Sequence, residues 1–259
     1  MPEPGLAAII NKAMNKCFLF DVDGTLTPSR KKINESFLGF LKRWALNTIA
    51  SNNKVFLTTG SDLPKLKGQV PNAFLNDISG YFCYMGNEYY SKGKLVYQTL
   101  DTHLEKGGQV DQWLNAQLKK NKYNKKFPPH TEFRTGMVNF SFVGRGCSTE
   151  QRRAYNEWDK KNKQREKLVL DFNEAFKQKK IKAFVGGEIS VDLQKEGSDK
   201  AQCVNFLKKK SKEYDFIFFG DRCEASGNDY SIYKLCKPSN RWHVKNWKHT
   251  FEIITNNYL

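Results

Sequence analysis

The sequence predicts an α/β protein in which an open parallel sheet carries a second, α+β domain inserted into it. Three short apolar runs end in small or acidic residues: CFLFDVDG (17–24), VFLTTGSD (55–62) and DFIFFGD (215–221). Each run is typical of a buried parallel strand whose carboxyl end opens into a polar loop. Residues 35–50, between the first two runs, have helical spacing, so strand, helix and strand alternate. Ligands are therefore expected beyond the carboxyl ends of these strands.

The middle of the chain lacks this alternation. Its segments of strand character are separated by lysine-rich helices such as residues 150–164. The predicted strands there are KLVYQTL (94–100), MVNFSFVG (137–144) and EISVDL (188–193). We interpret this part as the inserted α+β domain. The predicted division is a first core part at 1–86, the insertion at 87–193 and a second core part at 194–259.

Positive charge is the main compositional feature of this 259-residue chain. It has 43 lysines and arginines against 27 aspartates and glutamates, a formal net charge of +16. Much of the excess lies in the runs KKNKYNKK (119–126), KKNKQREK (160–167), KQKKIK (177–182) and KKKSK (208–212). These runs hold few aromatic residues that could stack on bases, so we interpret them as solvated faces rather than a nucleic-acid surface. A positive field still attracts small anionic substrates.

Cysteine spacing and hydropathy limit the class of protein. The cysteines form no CxxC pair and no spacing typical of a metal site, so buried free thiols are expected. They are Cys17, Cys83, Cys147, Cys203, Cys223 and Cys236. No apolar run approaches the roughly 18 residues that span a bilayer. The first residues lack the basic start and long apolar stretch of a secretory signal, so a cytoplasmic protein without a membrane association is expected.

Two aspartates follow the first predicted strand. On an extended strand Asp21 and Asp23 project to the same side, and Gly24 allows the sharp turn that brings both into one pocket. One carboxylate can attack phosphorus to form an aspartyl phosphate, while the other transfers the proton of the leaving or entering oxygen. Two carboxylates repel a phosphate, so the site needs positive charge, for which Mg²⁺ held by oxygen ligands together with a lysine is the expected source. Taken alone, the pair also fits two turn-forming aspartates at a strand end.

Four polar residues later in the chain complete this chemistry. Ser61 can donate a hydrogen bond to a phosphate oxygen, and Lys200 supplies a compact cation. Asp221 and Asp229 offer carboxylates for a metal. Each has a plainer alternative: a helix cap for the serine, a surface position for the lysine and a solvated loop for the two aspartates. The predicted metal ligands are Asp21, Asp23, Asp221 and Asp229.

The order of these motifs closely resembles the haloacid dehalogenase (HAD) superfamily. An Asp-x-Asp pair, a serine, a lysine and the loop GDRCEASGND follow one another along the chain. The resemblance implies a Rossmann-like parallel-sheet HAD core with an inserted α+β cap domain. It also implies that Asp21 is the phosphoryl-accepting nucleophile, that Asp23 is the general acid and base, and that Lys200 belongs to the catalytic set. The last motif would complete the Mg²⁺ site.

Three stretches resemble a narrower family, the eukaryotic-type α-phosphomannomutases with a type IIB-like cap. They are DVDGTLTPSRKKI (21–33), EFRTGMVNFSFVGRGCSTEQR (132–152) and GGEISVDLQKEGSDK (186–200). The implied reaction interconverts mannose 6-phosphate and mannose 1-phosphate for GDP-mannose synthesis, with a hexose 1,6-bisphosphate as activator. A homodimer formed through the cap is implied as well. The predicted substrate-site residues are Arg30, Ser61, Arg134, Asn139, Arg145, Arg152, Ser190 and Asp192.

A mutase gives a reason for arginines far from the aspartates. A bisphosphate intermediate must turn end for end, so one phosphate reacts at Asp21 while the other is held elsewhere. The planar guanidinium group makes two hydrogen bonds to phosphate and stays charged, so Arg145 and Arg152 are predicted to hold the second phosphate. Ser190 and Asp192 lie two apart on a predicted strand and would face the sugar together.

Other functions stay open at this stage. A sugar-phosphate phosphatase would use the same aspartates and differ in letting water reach the aspartyl phosphate. A basic nucleic-acid or scaffold protein would need no catalysis, and the complete set of acids with Lys200 argues against it. Mannose and glucose differ only at C2, and no residue in the sequence discriminates between them.

The chain departs from the usual residues of the resembled family in three places. The segment Met85-Gly86-Asn87-Glu88 replaces a Glu-Asn-Gly turn, Thr59 stands where a second glycine is usual, and Phe142 where a proline is common. These departures concern the geometry of the hinge and the closure of the cap.

Overall fold

The strands of the chain form two β-sheets, and helices pack against them. The computed structural model describes residues 14–99, 104–210, 214–225 and 227–259. The strands are β1 (Asn15–Asp21), β2 (Lys54–Thr58), β3 (Gly80–Cys83), β4 (Glu88–Ser91), β5 (Lys94–Gln98), β6 (Thr131–Arg134), β7 (Met137–Phe140), β8 (Ile181–Val185), β9 (Val191–Lys195), β10 (Tyr214–Gly220) and β11 (Arg241–His243). The helices are α1 (Glu35–Ala50), α2 (Leu63–Gln69), α3 (Asn72–Asp77), α4 (Gln109–Lys120), α5 (Thr149–Asn162), α6 (Gln164–Ala175), α7 (Ala201–Lys210), α8 (Tyr230–Leu235) and α9 (Trp247–Asn257).

The first sheet is the parallel core predicted from the sequence. Its strand order is β11-β10-β1-β2-β3-β4-β5. Strands β11 to β3 run parallel, and β4 and β5 are added antiparallel at one edge. Because β1 lies between β10 and β2, the carboxyl ends of all three predicted strands meet at one edge of the sheet. This arrangement confirms the predicted α/β core.

Alternating side chains along β1 bury the core sheet on both faces. Phe18 faces α1, where the ring of Trp44 packs edge-on against it at 5.0 Å between centroids. Leu19 points to the other face, where it shares a core with Val204 of α7. A shift of β1 by one residue would exchange these faces, so packing fixes the register of the strand. Asp21 is therefore held at the strand end.

The second sheet is antiparallel, with the order β6-β7-β9-β8. Helices α4, α5 and α6 cover one face through a core that includes Phe140 and Phe172. Because side chains alternate along a strand, the neighbouring positions face the other way. Glu132 of β6 pairs in register with Asn139 of β7, which pairs with Asp192 of β9. The uncovered face of this α+β domain thus carries a row of polar side chains.

The strand order corrects one expectation about the insertion. Residues 94–100 were assigned by their pattern to the inserted domain, whereas β4 and β5 pair with β3 in the core sheet. A strand pattern is the same for either sheet, and only the pairing partner decides between them. We therefore propose that the insertion begins after Gln98 rather than at 87, and that it ends near Lys195, the last residue of β9.

Most local predictions agree with the structure. The helix predicted at 35–50 is α1, and the helix predicted at 150–164 is α5, followed by α6. The predicted strand 188–193 begins only at Val191. Its first residues belong instead to a loop, closed by the amide of Gly186 donating to the Ser190 carbonyl oxygen over 2.9 Å.

Two predictions about protein class can be compared with the structure. All six cysteines are free thiols and five are buried, which confirms the prediction for them. Within the described ranges, no helix has the length and apolar character needed to cross a bilayer. The amino-terminal segment that lacks signal character lies outside the described residues up to position 13, and so do the last two residues of the lysine run 208–212.

Candidate active site

A buried lysine lies between two aspartates at the carboxyl edge of the core sheet. Asp21 ends β1, and Lys200 immediately precedes α7. The Lys200 ammonium donates to Oδ1 of Asp21 and, over 2.5 Å, to Oδ1 of Asp229. Burial alone would favour the neutral amine, but the two carboxylates raise the pKa of Lys200, which therefore stays charged. The surface alternative for this lysine is excluded because its side chain is fully buried.

Three carboxylates form a group that fits a metal ion. One oxygen each of Asp21, Asp221 and Asp229 lies within 4.8 Å of the others. Burial, and next the Asp229 charge, raise the pKa of Asp221 to about 6. Oδ2 of Asp21 is buried without a hydrogen-bond partner. Clustered carboxylate oxygens with an unused acceptor suit a hard divalent cation.

Gly24 allows one of these carboxylates to approach the strand end. Its φ of +85° is one that residues with a side chain rarely adopt. A Cβ at this position would lie 2.2 Å from Oδ2 of Asp221. The glycine of the DVDGT motif is thus required twice, for its backbone conformation and for the space that Asp221 occupies.

Asp23 has a separate set of partners. Its carboxylate accepts from Lys65 Nζ over 2.6 Å, from Gln69 Nε2 over 2.9 Å and from the Arg30 amide over 2.6 Å. Burial opposes ionisation, but the hydrogen bonds from Lys65 and the Arg30 amide outweigh it and lower the pKa of Asp23. The side chain of Asp23 lies outside the three-carboxylate group, so its predicted role as a metal ligand stays a prediction.

Lys65 and Gln69 were missed in the sequence. Both lie on α2 and reach the site because Ser61, Lys65 and Gln69 follow one another at intervals of four residues, the spacing of one helix face. Lys65 also donates to Ser61 Oγ over 2.7 Å. The cap of α2 is Asp62, whose carboxylate accepts from the Lys65 amide over 2.8 Å, so the cap alternative for Ser61 does not hold.

The polar face of the second sheet carries the predicted sugar ligands. Asn139 donates to Asp192 over 2.5 Å, while its own Oδ1 is buried without a partner. Burial raises the pKa of Asp192, although the hydrogen bond from Asn139 opposes this. A Cβ on Gly186 would lie 2.7 Å from Ser190 Oγ and 2.8 Å from an Asp192 oxygen, so both side chains lie against the same loop. The orphaned acceptor and these polar groups suit sugar hydroxyls.

Four arginines lie within reach of one another's charge. Glu132 accepts from Arg134 over 2.8 Å and pairs with Arg145 at 3.2 Å. Burial lowers the pKa of Arg145, and so do neighbouring positive charges. Those charges belong to Arg134, Arg152 and Arg30. Since the Arg30 amide binds Asp23, the arginine cluster of the inserted domain lies next to the reactive edge of the core sheet.

Two of these guanidinium groups have unused donors. Nε of Arg134 and one terminal nitrogen of Arg152 are buried and have no hydrogen-bond partner in the part of the chain that the structure describes. Among the described residues, the one ion-pair partner of Arg152 is Glu188, at 4.0 Å. Like charges held together with unpaired donors are a site for a dianion, and phosphate accepts from several such groups at once.

Comparison with known proteins shows the family to which the sequence belongs. The family model for eukaryotic phosphomannomutase matches residues 43–258. A phosphomannomutase of Triticum aestivum is 34% identical over 227 residues, covering 83% of this chain and 85% of the relative. Phosphomannomutase 1 of Mus musculus is 35% identical over 221 residues, covering 83% and 82%.

Solved structures agree on the fold. A protein of Streptococcus mutans UA159 superposes with a TM-score of 0.63 at 13% identity, covering 93% of this chain and 98% of that one. A Thermoplasma acidophilum protein gives 0.59 at 18% identity, covering 94% and 98%. The predicted fold class, an α/β core with a parallel sheet and an additional α+β part, is thereby confirmed. The chain belongs to the eukaryotic phosphomannomutase family.

Proposed function

We propose that this protein interconverts mannose 6-phosphate and mannose 1-phosphate through an aspartyl-phosphate enzyme. One observation supports the proposal most strongly: a chain of this family has two candidate phosphate-binding sites close to each other. One is the buried group of Asp21 and Lys200, and the other is the arginine cluster with unpaired donors. A phosphatase needs only the first site, whereas a mutase needs a second phosphate site.

Phosphoryl transfer takes place at Asp21. In the phosphorylated enzyme, Asp23 takes the proton of the sugar hydroxyl as that oxygen attacks the aspartyl phosphate, which gives the bisphosphate and frees the Asp21 carboxylate. In the reverse step Asp21 attacks the other phosphate and Asp23 returns the proton to the leaving sugar oxygen. Ser61 and Lys65, which bond one another beside Asp23, contact the equatorial phosphoryl oxygens.

A divalent metal is implied by family membership, and we propose Mg²⁺. The group formed by Asp21, Asp221 and Asp229 would hold it. The ion, when bound, offsets the negative charge that accumulates between the carboxylates and the phosphoryl oxygens. Lys200 supplies further positive charge on the protein side of Asp21.

The arginines hold the phosphate that is not reacting. Arg134, Arg145 and Arg152 bind it while the bisphosphate turns, and Glu132 keeps the first two in place when the site is empty. Arg30, exposed on the loop above Asp23, contributes from the core domain. Asn139, Ser190 and Asp192 bind the sugar hydroxyls between the two phosphate sites.

A coupled assay of mannose 1-phosphate conversion, with and without a hexose 1,6-bisphosphate, tests the proposal. The bisphosphate phosphorylates Asp21, so a mutase starts only when this activator is present and releases no stoichiometric phosphate. Release of inorganic phosphate from mannose 1-phosphate at the same rate with and without bisphosphate would show a sugar-phosphate phosphatase instead.

Three further predictions from family resemblance belong to the same proposal. A homodimer forms through the inserted domain, the product serves GDP-mannose synthesis, and the enzyme acts in the cytoplasm. The oligomeric state can be measured by sedimentation. Substitutions on the surface of the inserted domain should abolish the dimer, whereas substitutions on the surface of the core domain should not.

A further inference from the structure

A buried acid joins the two domains at a position that the reaction does not use. Glu88, the first residue of β4, is 7% exposed. Its Oε2 accepts from the Tyr90 hydroxyl over 2.7 Å, within the core sheet. Its Oε1 accepts from the Thr135 hydroxyl over 2.6 Å. Thr135 belongs to the inserted domain, in the turn between β6 and β7. One carboxylate therefore connects the two sheets.

The turn of the hairpin formed by β6 and β7 packs closely against the core domain. Gly136 has a φ of +65°, and a Cβ there would lie 2.7 Å from Cγ of Asn87. Asn87 is fully buried and its Oδ1 accepts from Gln202 Nε2 over 3.1 Å. Gln202 lies in the first turn of α7, two residues after Lys200. Through Asn87 and Gln202, the hairpin turn thus contacts the helix that begins directly after the buried lysine.

The residue before this turn is one of the phosphate-binding arginines. Arg134 directly precedes Thr135, and its guanidinium bonds Glu132 over 2.8 Å. Burial opposes the charge of Arg134, whereas the hydrogen bond to Glu132 and, more weakly, the charge of Asp62, the core residue after Ser61, raise its pKa. A displacement of the turn would therefore move the Arg134 side chain relative to Ser61.

We propose that Glu88 is a positioning residue for the phosphate that is not reacting, acting through Thr135 on Arg134. By holding the hairpin turn on β4, the carboxylate sets the distance between Arg134 and the reactive edge of the core sheet. The inference rests on the proposed function, because it takes Arg134 as a ligand of the distal phosphate. The position of Arg134 would thus depend on the segment Met85-Gly86-Asn87-Glu88, whose residues have no chemical role in the proposed reaction.

Three substitutions test this contact. Thr135→Val keeps the shape of the side chain and removes the hydroxyl that donates to Glu88 over 2.6 Å and accepts, over a longer 3.3 Å, from Gln98 Nε2. Thr135→Ser restores a hydroxyl. Tyr90→Phe is the matched control, since it removes the other hydrogen bond to the same carboxylate without touching the inserted domain. Each variant is assayed with a hexose phosphate, with bisphosphate present, and with p-nitrophenyl phosphate, which has no distal phosphate.

Thr135→Val is expected to lower kcat/KM for the hexose phosphate about 10-fold or more, the size of a lost hydrogen bond to a charged group, mainly through KM. Hydrolysis of p-nitrophenyl phosphate should stay within about 2-fold, which also shows that the variant folds. Thr135→Ser should recover most of the loss, and Tyr90→Phe should cost less than about 3-fold with either substrate. Equal losses in Thr135→Val and Tyr90→Phe, or an unchanged hexose phosphate reaction in Thr135→Val, would overturn the proposal.

Hydrogen exchange of the hairpin amides separates this inference from the proposed function. Exchange at residues 133–138 should be faster in Thr135→Val than in wild type and unchanged in Tyr90→Phe, with no substrate present. If wild type turned over no mannose phosphate, the proposed function would fail. Faster exchange in Thr135→Val than in wild type and Tyr90→Phe would still support the contact between Glu88 and Thr135. If the exchange rates of the two variants were equal, the contact between Glu88 and Thr135 would not be what holds the turn.

Discussion

Lys65 and Asp23 form an ion pair with 2.6 Å between Nζ and Oδ2, at the point where proton transfer is proposed. The same ammonium donates to Ser61 over 2.7 Å. The Lys65 ammonium thus contacts two groups: Asp23, the proposed general acid and base, and Ser61, a predicted phosphate ligand. It keeps Asp23 ionised in the absence of substrate, the state needed to accept a proton from the incoming sugar hydroxyl.

Replacing Lys65 should change the pH dependence of turnover. Lys65 lowers the pKa of Asp23 against the opposing effect of burial, so Lys65→Met should raise that pKa. The base form of Asp23 is lost as pH falls, and the acid limb of kcat/KM should therefore move to higher pH. Lys67→Met, on the exposed side of the same helix, is the control and should leave the profile in place. If the acid limb of Lys65→Met lay at the same pH as in wild type, Lys65 would not be the residue that lowers the pKa of Asp23 during turnover.

Asp21 should be the only phosphorylated residue. Asp21→Asn should lower turnover below about a hundredth of wild type, because an amide cannot replace the nucleophile. Mass spectrometry after incubation with a hexose 1,6-bisphosphate should find the added phosphoryl group on Asp21 in wild type and on no residue in the variant. Labelling at another side chain would contradict the assignment.

Asp23 should be needed for proton transfer rather than for binding. Asp23→Asn keeps the size of the side chain, and turnover should fall by about 10²–10⁴, the usual contribution of a general acid or base. The affinity for mannose 1-phosphate, measured by calorimetry, should change much less. A variant with a normal turnover number would exclude Asp23 from the mechanism.

Gly24 should be essential for metal binding. Alanine there would place a methyl group 2.2 Å from Asp221 Oδ2 and force an unfavourable φ, so that carboxylate must move away. We expect Gly24→Ala to weaken activation by Mg²⁺ about 10-fold or more, measured as the metal concentration for half-maximal activity. Gly68→Ala is a suitable control, because within the described part of the chain its added Cβ meets no atom within 4 Å other than its chain neighbours and the backbone of its own helix. Equal metal dependence in the two variants would contradict the proposed ligand group.

The sequence was most informative where chemistry is local. Asp21, Asp23 and Gly24 are adjacent, and the buried strand before them is visible in the hydrophobic pattern, so their place at the sheet edge could be predicted. Lys65 and Gln69 could not, since a lysine on a short helix is normally a solvated residue and only the packing of α2 brings it to Asp23.

Strand pairing was the other limit. The pattern of β5 predicts a strand but not its partner, which is β4, the strand directly before it and part of the core sheet. The contact between Glu88 and Thr135 spans 47 residues and connects two domains. A contact of this kind follows from the tertiary arrangement and has no signal in either segment alone.

The central claim is that the arginines hold a second phosphate, and Arg152→Ala tests it most directly. A charged hydrogen-bonded contact of this kind is worth roughly 1.5–3 kcal/mol, so kcat/KM for mannose 1-phosphate should fall about 10- to 150-fold. Hydrolysis of p-nitrophenyl phosphate at Asp21 should barely change, and bisphosphate should escape into solution more often. Arg153→Ala, at the exposed neighbouring position, should match wild type in both assays. Equal loss of both reactions in Arg152→Ala would contradict the distal-phosphate role and show that this arginine supports the fold or the reactive site instead.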